Sequence, residues 1–224
     1  MRRTVLFILL GIVSMSATAF SVTDRAVAET GRDSAYVAAI TARAEKNISA
    51  LQLTGDTLQA VRNIVIERYF ALNDIYAERD TAINCAKREL TGEAKTQAIE
   101  AAQARCDSRL YRSHFDFPAK LSMYLDDHQI EAVKDGITMG VVKVTYDAQL
   151  DMIPALTEEE KLQILVWLKE ARELALDAES SKKKHEVFGK YKGRINNYLT
   201  RRGYDLKKER EDWYARVKAR GGTL

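Results

Sequence analysis

Proline is nearly absent: Pro118 and Pro154 are the only two in 224 residues. The residue that most often interrupts a helix or a sheet ladder is therefore missing almost everywhere, and no Gly/Ser-rich or low-complexity linker takes its place. The chain has nothing that would separate domains. Histidine is scarce as well. His114, His128 and His185 lie far apart, and neither H-E-x-x-H nor a Cys/His cluster with zinc spacing occurs. No metal and no cofactor are expected. Gly189 and Gly193 form G-x-x-x-G without the Lys-Ser/Thr of a phosphate loop, so close helix packing is their expected role. A G-x-S-x-G elbow is missing too.

Cysteine is limited to Cys85 and Cys106. If two antiparallel helices turn at Thr91-Gly92, Cys106 lies about 12 Å beyond the level of Cys85 at 1.5 Å per residue. That exceeds the limit of about 7 Å between Cα atoms for a bridge. A turn nearer Lys95-Thr96 would bring the two level, and both alternatives stay open.

Long apolar runs are also wanting. The first residues, MRRTVLFILLGIVSMSATA, carry Arg2 and Arg3, an apolar run and the small-residue site Ala17-Thr18-Ala19. These are the three parts of a secretory leader, with cleavage expected after Ala19. Residues 1–19 would be removed and residues 20–224 would form one domain, periplasmic or secreted. No later stretch approaches the roughly 20 apolar residues a bilayer requires, so no membrane span is expected.

Charge is present in both signs but unevenly placed. Residues 181–224 carry 14 Lys/Arg against 5 Asp/Glu, while residues 20–180 carry 19 against 27. A charged partner would be drawn to one end, or the two ends attract each other within the fold. The basic end interleaves lysines with tyrosines, a pattern that suits single-stranded nucleic acid. The near-neutral total and the leader argue against that partner.

What is abundant is helical periodicity. Asp33 can cap a helix through Tyr36, Val37, Ile40, Ala44 and Ile48. Leu53-Thr54 opens a longer one whose stripe runs from Leu58 through Val65, Tyr69 and Tyr76 to Leu90. A second long helix from Thr91-Gly92 answers it as far as Leu125, with Pro118 expected to kink or split it and Asp116 to cap the remainder. Asp126 with Gln129 and Thr157 with Glu160 are reciprocal capping boxes. Residues 141–150, VVKVTYDAQL, mix β-branched with polar residues and read as a short extended connection. The fold expected is all-α, long helical hairpins packed as a single-domain bundle.

The last helices hold the candidate site. In KKKHEVFGKYKGRINNYL, Tyr191, Arg194, Asn197 and Tyr198 are spaced 3, 3 and 1 apart and share one helical face. A sugar offers an apolar face to an aromatic ring and hydroxyls to Asn and Arg. Lys184 and His185, one to two turns earlier, could meet a uronate carboxylate, and Lys190 belongs to the same candidate surface. Trp213, in a charged helix, is the exposed-ring candidate, whereas Trp167 between Leu165 and Leu168 should pack. Tyrosines at this spacing also serve as core edges.

At KHEVFGKYKGRINNYL and GYDLKKERE, with VTYDAQLDMIPALTEEEK and LDDHQIEAVKDGIT upstream, the chain resembles a family of secreted bacterial proteins of unknown function. These are described as sugar-binding and are often found with polysaccharide-degrading systems. The resemblance covers nearly the whole chain after the leader. It implies a non-catalytic, glycan-related role outside the cytoplasm, with carbohydrate and polysaccharide-degrading enzymes as partners, and it brings no assigned binding residues. A weaker similarity joins Leu125-Asp126-Asp127-His128-Gln129 to the L-T-x-x-Q motif of periplasmic helical chaperones. A uronate-polysaccharide lyase or an accessory hydrolase is the enzymatic alternative; for the lyase, a cation beside a Lys, His or Tyr base suits proton abstraction next to a carboxylate.

Overall fold

The computed structural model describes residues 31–222; the expected leader, residues 1–19, lies outside them. Among the described residues the chain forms eight α-helices, one 3-10 turn and no strand. In order these are α1 (Ser34–Ile48), α2 (Gly55–Glu89), α3 (Gly92–Leu121), α4 (Asp127–Ile137), α5 (Val141–Met152), α6 (Glu158–Leu176), α7 (Ser181–Arg201) and α8 (Leu206–Ala219). The single-domain helical bundle expected from periodicity is what forms. None of the described helices is long and apolar enough to cross a membrane.

Capping chemistry sets most boundaries. Asp126 accepts from the Gln129 amide at 2.8 Å while the Gln129 side chain accepts from the Asp126 amide at 3.1 Å. Thr157 and Glu160 close the same reciprocal box at the start of α6. Ser180 accepts from the Lys183 amide and so fixes where α7 begins. Thr54 and Thr91 occupy cap positions without a side-chain bond. At those two starts, packing and not the hydroxyl holds the helix.

Two expectations fail for tertiary reasons. Residues 141–152 are helical, because Val142, Thr145, Gln149 and Met152 fall at steps of 3, 4 and 3 and are all buried. The helix propensity lost at a β-branched residue is a few tenths of a kcal/mol, less than the burial of one apolar side chain contributes. Pro118 neither splits α3 nor makes Asp116 a cap. It sits in the last turn, where it removes only the bond to the carbonyl of residue 114, and the buried Phe117 and Leu121 hold that turn to the core.

α2 and α3 form the longest hairpin, and α2 alone runs 35 residues, about 52 Å. The turn falls at Leu90-Thr91, and Cys85 and Cys106 are both free thiols. Two apolar cores result. The first joins α1, α2, the end of α3 and α4 around Ala44, Val61, Val65, Leu121 and Val133. The second joins α5, α6 and α7 around Ile153, Ile164, Leu168, Phe188, Ile195 and Leu199, with α8 laid against its edge.

Charged groups bridge the two. Arg172 of α6 reaches across to α4, donating to Asp135 at 2.8 Å and Glu131 at 2.5 Å. Buried Arg68 of α2 donates to Asp177 at the end of α6 and to Ser113. The seam between the cores is therefore polar, and it is where space is left.

Candidate functional site

A cavity of about 880 Å³ opens between α1, α2, the end of α4 and the start of α7. Such a volume lies within the roughly 300–1,000 Å³ common for small-molecule sites. On α1, Tyr36, Ile40, Arg43 and Asn47 fall at steps of 4, 3 and 4 and line one wall. Tyr69, Leu72, Asn73 and Tyr76 of α2 line the facing wall. Ser180, Ser181 and Lys184 close the end. The first turn of α7 thus contributes a side chain to a space whose walls were built more than a hundred residues earlier.

The tyrosines are fixed by their hydroxyls. Asn47 donates to the Tyr69 hydroxyl at 2.8 Å, which leaves the Tyr69 proton free to be given to a ligand. Tyr76 donates to the carbonyl of Asp177 at 2.6 Å. Burial pushes the phenol of Tyr76 up to about 12. The Asn47 end of α1 meets α4 closely at Gly136, where a Cβ would stand 2.1 Å from the carbonyl oxygen of Asn47. Only glycine lets the two helices approach this far.

Lys184 is the singular residue. The residue is 6% exposed, yet its ammonium makes one hydrogen bond, to the Ile137 carbonyl at 3.3 Å, and among the described residues no carboxylate stands within ion-pair distance of it, Asp177 acting on it only through space. The ammonium lies 5.9 Å from the centre of the Tyr69 ring, with the Arg43 guanidinium 5.7 Å from the same centre. Burial, reinforced by the charges of Arg43 and Arg68, pushes the Lys184 amine down to about 8. Behind it stands Asp177, paired with Arg68 and with His114 Nδ1 at 3.1 Å. Burial raises the Asp177 carboxyl against the opposing pull of Arg68 and His114.

The residues singled out from the sequence do not gather in one place. Lys184 points into the cavity. Tyr191, Arg194 and Tyr198 lie on another face of α7 around Trp167, with the guanidinium 4.6 Å from the indole centre and the Tyr198 ring edge-on at 5.2 Å. Arg194 also reaches Glu170 at 3.4 Å. Tyr191 and Tyr198 are partly buried against the second core, as is Trp167. His185, Lys190 and Asn197 are exposed. Lys190 opens instead onto a cleft of about 480 Å³ with Arg79, Tyr111 and Leu174.

Trp213 is not the exposed ring expected of it. It packs half-buried against the second core, its Nε1 donating to Asp151 at 2.7 Å. Together with Arg220 this bond holds Asp151 at about 2. Gly189 and Gly193 do not serve close packing, because a Cβ at either would meet nothing within 4 Å. Among the described residues no group of three His, Cys, Asp or Glu is assembled as a metal site.

Arg43, Asn47, Tyr69, Asn73 and Tyr76 escaped the sequence reading because each fits an ordinary amphipathic helix. One signal was present. Arg43 and Asn47 stand four apart beside the apolar stripe of α1, and Tyr69 and Tyr76 seven apart within that of α2, so each pair shares a face. What no pattern shows is that the two faces meet. A family model described as a protein of unknown function (DUF3826) matches residues 37–219, which takes in every cavity residue named above except Tyr36. No curated protein matches.

Proposed function

The chain belongs to the DUF3826 family of proteins of unknown function, and from that premise we propose that it is an exported, non-catalytic binding protein for an acidic carbohydrate. The observation that carries this reading is the cavity itself. It combines three tyrosines, two asparagines and an excess of cations, with Arg43, Lys46 and Lys184 facing a single acid, Glu179. Glu179 is already engaged by Arg79 at 2.8 Å. Rings offer stacking to the apolar face of a sugar, Asn47, Asn73 and Tyr69 address hydroxyls, and the cations address a carboxylate. The secretory pattern of residues 1–19 supports a place outside the cytoplasm, where polysaccharide-degrading enzymes would supply oligosaccharides.

A second reading keeps the sugar on the outer face of α7, and the stack of Arg194 on Trp167 beside Tyr191 favours it. Calorimetry with uronic-acid oligomers separates the two. On the cavity reading, Arg43→Ala weakens binding at least tenfold, about 1.4 kcal/mol, and Arg194→Ala changes it less than twofold. The reverse ranking moves the site to the outer face. Absence of binding by the unaltered protein across uronate, sulfated and neutral oligomers overturns both.

A further inference from the structure

Resting on the cavity reading, we propose that Lys184 is a covalent capture residue, forming a reversible imine with the carbonyl group of a bound acid such as the open-chain form of a uronic acid. The geometry asks for an explanation of this kind. A lysine at 6% exposure would ordinarily be paired with a carboxylate. Here it has one carbonyl partner at 3.3 Å, an aromatic face and a neighbouring arginine, at the end of a space large enough for a ligand. For a residue meant to hold the fold together this is a poor arrangement. For a nucleophile it is a good one, because desolvation and adjacent positive charge both favour the neutral amine. With its amine pushed down to about 8, roughly a tenth of Lys184 is neutral at pH 7.

The step balances without any added reagent. The Lys184 lone pair adds to the carbonyl carbon, and the carbonyl oxygen gains a proton to give a carbinolamine. Loss of the second amine hydrogen with that hydroxyl then leaves a C=N bond and one water. No electron changes hands, and water reverses the reaction. Tyr69 has a role in the proton traffic: its hydroxyl accepts from Asn47 and retains its own proton for the departing oxygen. Arg43, whose guanidinium also lies by the Tyr69 ring, suits the carboxylate of the same molecule. Lys182 and Lys183 on the same turn are exposed, Lys183 being tied to Glu186 at 2.9 Å.

The experiment treats the protein at pH 7 with glyoxylate, and separately with galacturonic acid, in the presence of cyanoborohydride, which reduces an imine to a stable secondary amine. Peptide mapping then reads which lysine is modified. The expected result is modification of Lys184 at least tenfold faster than Lys46, which lines the same cavity but is exposed, and than Lys182 and Lys183, with no product at position 184 in Lys184→Met. Modification spread evenly, or confined to the exposed lysines, overturns the proposal. Methyl galacturonoside, which has no free carbonyl, separates this failure from that of the binding reading. If it binds and Lys184 stays unmodified, the site takes sugars without covalent chemistry and the imine falls. If glyoxylate modifies Lys184 while the glycoside neither binds nor protects it, the imine stands and the carbohydrate assignment falls.

Discussion

Lys184 shows what a single position in a charged run can hide. In the sequence it is the third of three consecutive lysines, a candidate for a ligand carboxylate by its place beside His185, with nothing to show that it is buried while Lys182 and Lys183 are not. The register of α7 decides between them, because Lys184, Phe188, Ile195 and Leu199 form its buried edge at steps of 4, 7 and 4. A buried amine held at about 8 against an ordinary value of 10.5 has a defined sign in the stability of the protein. Below pH 8 both folded and unfolded chains carry the proton, and the folded state bears the full cost of burying it. Between pH 8 and 10.5 the unfolded chain binds more protons, so this cost is relieved as pH rises. Lys184→Met should therefore stabilise the fold at pH 7 by about 2 kcal/mol, allowing for the lost bond to Ile137. The gain should shrink towards pH 10. Denaturant titrations of both proteins at the two pH values check this, and a variant less stable than the parent at pH 7 would show that Lys184 holds the fold together. A residue that weakens the fold where it sits has its warrant in what the cavity does.

Among the helices, boundaries were legible wherever side-chain chemistry sets them and not where packing does. The boxes at Asp126 and Thr157 were visible as residues three apart and form as read. Glu160 shows how much such a box can gather: burial works against its charge, but the Thr157 amide, the Tyr204 hydroxyl at 2.7 Å and Arg202 at 2.9 Å hold it at about 2. Its stabilising bonds are complete above pH 4.5 and are lost as pH falls towards 2. Glu160→Gln should cost on the order of 2 kcal/mol at pH 7, by thermal melting, and less at pH 3. The helix over residues 141–152 was not legible, because its amphipathic face is buried by α6 and α8, which come later in the chain. Nor was the approach of α1 to α4. Gly136 reads as an ordinary breaker near a helix end, yet it is the place where the Asn47 carbonyl comes within 2.1 Å of any added Cβ. Gly136→Ala must push α1 outward, at an expected cost of about 3 kcal/mol, the upper end of the usual range for core overpacking. Asn47 also orients Tyr69, so the same substitution should weaken ligand binding. Affinity retained in a destabilised Gly136→Ala would separate the cavity wall from this helix contact.

At the level of the whole molecule, two apolar cores share a seam of ions, and the candidate site lies in that seam. Sequence periodicity shows which residues are apolar and which helices they belong to, but not that those residues divide into two clusters, since the partition depends on how later helices return to earlier ones. The pair of Arg68 and Asp177 joins positions 109 apart in the chain. It lies directly behind the cavity, through the Tyr76 bond to the Asp177 carbonyl. Desolvating both charges is expensive, so the pair contributes little beyond what a matched apolar pair would, whereas removing one partner strands the other. Asp177→Asn should accordingly destabilise the protein by about 3 kcal/mol, leaving the buried Arg68 guanidinium without its carboxylate. The double substitution Arg68→Met with Asp177→Asn should recover more than half of that loss, a coupling well above the roughly 0.5 kcal/mol within which independent sites add. A double-mutant cycle by urea unfolding reads it directly. If the two losses simply add, each residue is held by its own surroundings, by Ser113 on one side and His114 on the other. Coupling would instead make the seam one electrostatic unit, and a carboxylate entering the cavity would be felt by both halves of the fold.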